Sequence, residues 1–284
     1  SYFPDGKGMV SASFDMTIRQ WDLRTGKEIE EARDVCEQKL EVLGWTWTVV
    51  VSRDGRWVVT SSSTVGNIGQ LQARDMETRI VKTFEGHSES HRIYWVEISP
   101  DSTLLAGESW DGQAHAITMW IWNLKSGKLL GCLSPFGLGI LFGLGRFSQD
   151  SKKLAVLSVT GGCLEVWDVR TQKLDVRVGK SRCGTVTSTP IFWTTKDKSI
   201  VALFDFKDWV RDPTDCSLRH PDLNTIYEFD ALTLEIVGAP FEGHTHCITG
   251  LALSFDCALL ASASRHDNTI KLWAFESRQL LASF

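Results

Sequence analysis

The sequence predicts an all-β fold built of repeated four-stranded antiparallel sheets, and three observations carry it. A segment reading GHTHCITGLALSFDCALLASASRHDNTIKLW at residues 243–273 recurs upstream in weaker copies. Each copy closes on an alternating run ending in Trp-Asp or a relative of it: IRQWDLRTG at 18–26, LQARDMETR at 71–79, MWIWNLKSG at 119–127, LEVWDVRTQ at 164–172, IYEFDALTL at 226–234 and IKLWAFESR at 270–278. The tail positions Trp21, Arg74, Trp122, Trp167, Phe229 and Trp273 fall 53, 48, 45, 62 and 44 residues apart. A unit of this length cannot bury an apolar face alone, whereas stacked copies can.

The last copy shows why each element forms. CITGLALS at 247–254 alternates and predicts a first strand, and Phe255-Asp256 a tight turn. Residues 258–264 read as the second strand, 265–268 as a turn, 269–273 as the third strand and QLLASF at 279–284 as the fourth. Short β-rich runs broken by Asp, Ser and Gly, with no helical period, describe a four-stranded meander. The first turn recurs as Ser52-Arg53-Asp54-Gly55, Ser99-Pro100-Asp101-Ser102 and Ser148-Gln149-Asp150-Ser151, where Ser and Asp bond their own backbone. Radial repetition of twisted four-stranded sheets covers their faces and leaves only short edges, which makes the expected architecture a β-propeller.

Composition fits one globular domain over residues 1–284. Hydrophobic residues make up 43% of the chain, nothing between repeats reads as a linker, and no apolar run is long enough to span a membrane. A net charge of −5 argues against nucleic acid as the main partner, since phosphate recognition needs a basic footprint. Seven cysteines at 36, 132, 163, 183, 216, 247 and 257 form no CxxC pair, and no Asn-x-Ser/Thr sequon occurs. That pattern fits a reducing, cytoplasmic setting, with Cys132, Cys163, Cys247 and Cys257 as small hydrophobes in or beside strands.

The Gly-His dipeptide, the Ser-x-Asp turn and the Trp-Asp tail together resemble the WD-repeat family over essentially the whole chain. The resemblance implies a buried hydrogen-bonded tetrad of His, Ser or Thr, Asp and Trp within a blade. It assigns His244, Ser264, Asp267 and Trp273 in the sixth repeat and His87, Ser109, Asp111 and Trp122 in the third. In the first it assigns Ser13, Asp15 and Trp21, with no His. His244 and Asp267 are accordingly read as structural cement rather than a catalytic pair. Repeat two has Arg74 for the Trp and repeat four has Thr160-Gly161-Gly162 where an Asp is expected, so packing must hold those blades.

Repeats two to six supply four predicted strands each and the first supplies three, because Phe3-Pro4-Asp5-Gly6 is already its first turn. The total of 23 predicts a first blade without its inner strand, in a ring of six or seven blades in the full protein. The chain opens on Ser1 rather than Met, so the expectation is a fragment of a longer protein or a six-bladed ring with one incomplete blade.

Four motifs are weighed and set aside. FGLGILFGLGR at 136–146 has the wrong spacing for a dinucleotide fingerprint and reads as a loop and first strand. Gly179-Lys180-Ser181 lacks the upstream glycine of a phosphate loop, Leu174 standing there. His87 and His91 have zinc-pair spacing in an inter-strand loop with no third ligand, and Asp212, Asp215 and Asp222 lack calcium-loop periodicity.

Function is expected where the repeat breaks. The longest gap comes from an insertion at residues 207–222 between the second and third strands of repeat five, carrying Trp209, Arg211 and Arg219. A second extension surrounds Trp110. With Trp45 and Arg92 at the starts of first strands, these residues are expected to rim the top face and hold a protein or peptide, since Trp and Arg dominate partner binding. The resemblance implies a non-catalytic interaction scaffold, with no cofactor, metal, membrane or small-molecule substrate. It also implies the substrate-receptor or sensor part of a larger F-box or NACHT-type protein. The other class weighed is a hydrolase-like or lectin-like propeller, which needs converging polar groups once per blade, and no such constellation is found.

Overall fold

The computed structural model describes residues 1–12, 18–29, 44–64, 69–84, 92–111, 116–133, 143–158, 162–179, 191–204, 206 and 223–284. These residues form six successive antiparallel sheets, with no α-helix among them. The fold class is all-β and of the β-propeller type, each sheet being one blade. In every blade the strands lie side by side in chain order, so each is a simple meander.

The chain divides into two compact units. In the first, Ser1–Pro135, blade one comprises β1 (Gly8–Ala12), β2 (Ile18–Asp22) and β3 (Lys27–Glu28). Blade two comprises β4 (Gly44–Val51), β5 (Trp57–Thr64), β6 (Gly69–Asp75) and β7 (Val81–Thr83). Blade three comprises β8 (Arg92–Ile98), β9 (Leu104–Asp111), β10 (Ala116–Asn123) and β11 (Leu129–Leu133). In the second, Phe136–Phe284, blade four comprises β12 (Gly143–Phe147), β13 (Lys153–Ser158), β14 (Cys163–Asp168) and β15 (Lys173–Gly179). Blade five comprises β16 (Phe192–Trp193), β17 (Ser199–Leu203) and β18 (Ile226–Asp230). Blade six comprises β19 (Gly250–Leu253), β20 (Leu259–Ser264), β21 (Thr269–Ala274) and β22 (Leu280–Ser283).

One turn module starts the blades. Ser52, Ser99, Ser148 and Ser254 donate through Oγ to Asp54, Asp101, Asp150 and Asp256 at 2.5–2.7 Å. Each Oγ also accepts the backbone N–H five residues on, at 2.8–2.9 Å, which places the second strand beside the first. Thr194 takes the same part in blade five, accepting Ser199 N–H at 3.1 Å. The fourth residue of each turn is left-handed, and Gly55 holds it at φ 73° without the penalty a Cβ brings.

The apolar core lies between successive blades inside each unit. Val10 and Ile18 of blade one meet Val58 of blade two. Trp57, Leu71 and Ala73 meet Ile93, Leu105 and Trp122 of blade three. Leu157 and Val166 of blade four meet Ile200 and Phe229 of blade five, and Val201 and Ile226 meet Leu260 and Trp273 of blade six. Burying such side chains contributes about 1.5–3 kcal/mol each.

Some details depart from the sequence reading. Blade one has its three strands, but the chain ahead of its first turn also pairs: Tyr2 bridges Met9, and Val10 N–H donates to the Ser1 carbonyl at 2.8 Å. Blade five has three regular strands rather than four, so the described residues hold 22 strands against the 23 expected. Its fourth strand survives as two isolated bridges, Phe229 with Ile236 and Ile226 with Phe241. Gly238 sits between them at φ 69° and Pro240 offers no N–H, so the ladder cannot run through. The first strand of blade six is Gly250–Leu253, shorter than 247–254. Cys132 is exposed on β11, not buried, while Cys163 is buried. Among the described residues no helix is long and apolar enough to cross a membrane.

Candidate functional site

Blade six contains a continuous buried hydrogen-bond network. The Trp273 indole N–H donates to Ser262 Oγ at 2.9 Å, and Ser262 Oγ lies 2.8 Å from His244 Nε2. His244 Nδ1 donates to Asp267 Oδ2 at 2.9 Å, the carboxylate being able only to accept. Asp267 also accepts from Thr245 N–H, Thr269 N–H and Thr269 Oγ1 at 3.2, 3.1 and 2.7 Å. Burial alone raises the carboxyl pKa, but the bonds from Thr269, His244 and Thr245 outweigh it and hold Asp267 well below the usual carboxylate range. His244, Asp267 and Trp273 thus stand together, whereas the hydroxyl among them is Ser262 and not the expected Ser264. The reason is register. Trp273 is opposite Leu260, and its indole reaches the diagonal neighbour two residues on. Ser264 lies a further two residues away, opposite Thr269, and its Oγ is buried without a hydrogen-bond partner.

The same diagonal decides the other blades. In blade one Trp21 is opposite Met9 and donates to Ser11 Oγ at 2.9 Å, so Ser11 holds the indole. The expected Ser13 and Asp15 lie outside the described residues. In blade three Trp122 is opposite Leu105, and the diagonal position is Gly107, where a Cβ would come within 3.1 Å of the Trp122 ring. The expected Ser109 does hold an indole, but that of Trp120, at 2.7 Å. Trp122 packs edge-on to Phe84. His87 lies outside the described residues. Asp111 ends β9, and its side chain lies outside them too. In blade four the diagonal residue is Val156, and Trp167 donates to Glu165 Oε2 at 2.9 Å. Glu165 is fully buried and accepts from Arg177 Nε at 2.6 Å. Blade five pairs Phe229 with Ile200 and puts Ala202 on the diagonal, donor and acceptor both missing, and blade two sets Arg74 and Thr60 around a small pocket.

The carboxylate after the Trp serves the next turn, not the core. Asp22, Asp75, Asp168 and Asp230 each accept backbone N–H groups two or three residues on. Asp75 is pushed down to about 2, chiefly by its bonds from Arg56 at 2.7 and 3.0 Å. Blade six has Ala274 at this position.

Ser262, His244 and Asp267 have the connectivity of a nucleophile, base and orienting acid. All three are buried to some degree and Ser262 is 1% exposed with its oxygen also holding Trp273, so no substrate atom reaches it. The arrangement ties together Trp273, Ser262, His244 and Asp267 within blade six. Among the described residues no group of three or more His, Cys, Asp or Glu is placed to hold a metal ion.

The surface candidates fall at one end of their sheets. Arg92 opens β8 and stands opposite Trp110 near the end of β9, so the register brings the two together. Trp45 stands opposite Ser63 at the same end of blade two. Their side chains are not among the described ones. Trp209, Arg211 and Arg219 lie outside the described residues altogether, as do Lys180, Ser181, His91 and the three candidate calcium ligands. The root of the 207–222 segment is described, and it holds an aromatic cluster that sequence reasoning missed. Phe206 lies 4.5 Å from Phe204, 5.1 Å from Tyr227 and 6.2 Å from Phe229, centroid to centroid, yet remains 45% exposed. Gly179 closes on the same cluster: a Cβ there would meet Phe204 at 2.8 Å and the Gly162 carbonyl at 2.2 Å, so glycine serves packing, not phosphate.

A family model described as "WD domain, G-beta repeat" matches residues 1–22, 78–115 and 236–274. No curated protein matches the chain. The first matched segment holds Trp21, the second β8 and β9, and the third the network of blade six.

Proposed function

The chain is a WD-repeat protein, and we propose that it works inside the cell as a non-catalytic scaffold that captures a protein or peptide. The contact end of each blade is the one where the first strand begins and the second ends. In the first unit Trp45, Arg92 and Trp110 belong to it; in the second, the 207–222 segment with Trp209, Arg211 and Arg219 springs from it. Phe206 carries this reading: a large aromatic held by three ring contacts yet left 45% exposed at the root of the insertion. A rigid aromatic anchor beside Trp and Arg is what partner recognition uses. Substrate receptor or sensor end of a larger F-box or NACHT-type protein is the role this scaffold fits.

The test is comparative capture from cells. Wild type, a Phe206→Ala/Trp209→Ala/Arg211→Ala variant and Leu232→Ala, on an exposed turn at the opposite end of blade five, are isolated with their bound proteins and quantified. The expected result is a partner retained by wild type and Leu232→Ala and lost from the triple variant, with melting temperatures unchanged. Equal recovery from all three removes the insertion as the contact site. Turnover of ester, peptide or glycoside substrates by the wild type would replace the scaffold reading with an enzymatic one.

A further inference from the structure

Blade five carries a carboxylate where four other blades carry an apolar side chain. Glu228 precedes Phe229 on β18 and stands opposite Val201; the matching positions are Ala73, Ile121, Val166 and Leu272, and Gln20 in blade one. Its side chain is 11% exposed, and a carboxylate so buried needs a counter-charge. Blade six supplies it. Arg278, in the turn between β21 and β22, hydrogen-bonds Glu228 Oε2, while Ser199 Oγ donates to Glu228 Oε1. The guanidinium carbon also lies 4.6 Å from the centroid of the Phe241 ring and 4.8 Å from that of Phe275.

The same side chain reaches the break in the fourth strand. Arg278 Nη2 donates to the Val237 carbonyl at 3.3 Å, beside Gly238. Val237 N–H itself donates to the Glu228 carbonyl at 2.8 Å. Arg278 therefore touches both sides of the interrupted ladder. This turn position is one that reaches a neighbouring blade. Its equivalent in blade five, Leu234, is also left-handed and packs into the core with blade four.

We propose that Arg278 and Glu228 form a strap that stands in for the missing middle of blade five's fourth strand, so that the outer edge of that blade opens as a unit when the strap is released. An apolar pair of similar volume would hold blades five and six together as well. The ion pair adds a closure that depends on one nitrogen, Arg278 Nη2, reaching from the next blade. β18 is also the strand to which the 207–222 segment returns, so the strap governs the strand that anchors that segment.

Hydrogen exchange read by mass spectrometry on the full chain tests this. Arg278→Met should accelerate exchange across residues 226–241 by about tenfold or more, the effect of losing a charge-assisted hydrogen bond, while residues 163–179 of blade four keep their rates. Arg278→Lys should act in the same direction, because a compact ammonium loses the contacts that the planar guanidinium makes with the Phe241 and Phe275 rings. Glu228→Leu combined with Arg278→Met removes both charges and should recover most of the lost protection. Should Arg278→Met fail to fold, the Lys variant and Glu228→Gln carry the same comparison. Unchanged exchange at 226–241, equal acceleration in every blade, or a double variant as fast as Arg278→Met alone would each overturn the strap.

Discussion

In blade six the aromatic of the third strand is Trp273, its indole N–H held by Ser262, and the residue that follows is Ala274. In blade five the aromatic is Phe229, the diagonal residue is Ala202, and the residue that follows is Asp230, which accepts Leu232 N–H at 2.9 Å and Thr233 N–H at 3.0 Å. One blade has kept the indole and lost the carboxylate; its neighbour has done the reverse. The Trp-Asp signature is therefore two separable devices, one facing the core and one facing the turn. In blade five the indole donor and its hydroxyl acceptor are gone together, since replacing both partners is nearly neutral whereas orphaning one is not.

The largest effect should come from the blade without the network. Phe229 is fully buried, and Phe229→Ala leaves a cavity costing about 3–5 kcal/mol. At roughly 2–4 °C per kcal/mol, melting temperature should fall by about 6–20 °C. A drop of only a degree or two would mean that blade five is held elsewhere, and the contrast with blade six would lose its packing half.

In blade six the corresponding loss is polar. Asp267→Ala leaves His244 and Thr269 without their acceptor, at about 1–3 kcal/mol for each group left unsatisfied. Acid should reveal the same carboxylate. Its folded pKa is depressed, so its contribution is fully present above the unfolded value near 4 and is lost as pH falls from there towards the folded value. Melting curves between about pH 5 and 2 should therefore slope less steeply for Asp267→Asn than for wild type. Parallel slopes would deny Asp267 its place in the network.

A smaller effect separates two serines. Ser262→Ala should cost about 1–2 kcal/mol by freeing Trp273 and His244, whereas Ser264→Ala removes an unpartnered buried hydroxyl and should be neutral or slightly stabilising. Equal effects would mean that register does not select the hydroxyl.

That pair also shows how far the sequence can be read. Repeats, turn modules and strand order are local and periodic, and they were legible. The choice between the serines of Ser262-Ala263-Ser264 was not, because both lie on one side of the strand and only cross-strand register distinguishes them. The break in blade five had a visible cause in Gly238 and Pro240, but a residue-by-residue alternation of apolar side chains hides it. Glu228 and Arg278 stand 50 residues apart, and no local pattern links them. Phe206 sits just ahead of the insertion that drew attention, and its exposure follows only from the rings packed beneath it. The surface candidates of the insertion itself are a reading of residue type and length, which is why their test is capture and not geometry.

The smallest predicted effect bears on the turn half of the comparison. Asp230 shapes the turn of blade five through two backbone N–H groups, and blade six makes the same turn, with Arg278 left-handed at φ 61° and Ala274 N–H bonded to Gln279 O at 2.9 Å. The turn thus forms without its carboxylate. Ala274→Asp should then add bonds rather than create the turn, for a net gain of about 0.5 kcal/mol once repulsion from Glu276 is set against it. Asp230→Ala should cost blade five a similar amount. Measured by denaturant midpoint, a gain in one and a loss in the other would confirm that the carboxylate tunes the turn without specifying it. A large loss from Asp230→Ala would instead mean that blade six has a substitute, and Arg278, bonded across to Glu228 and Val237, is the residue in position to supply it.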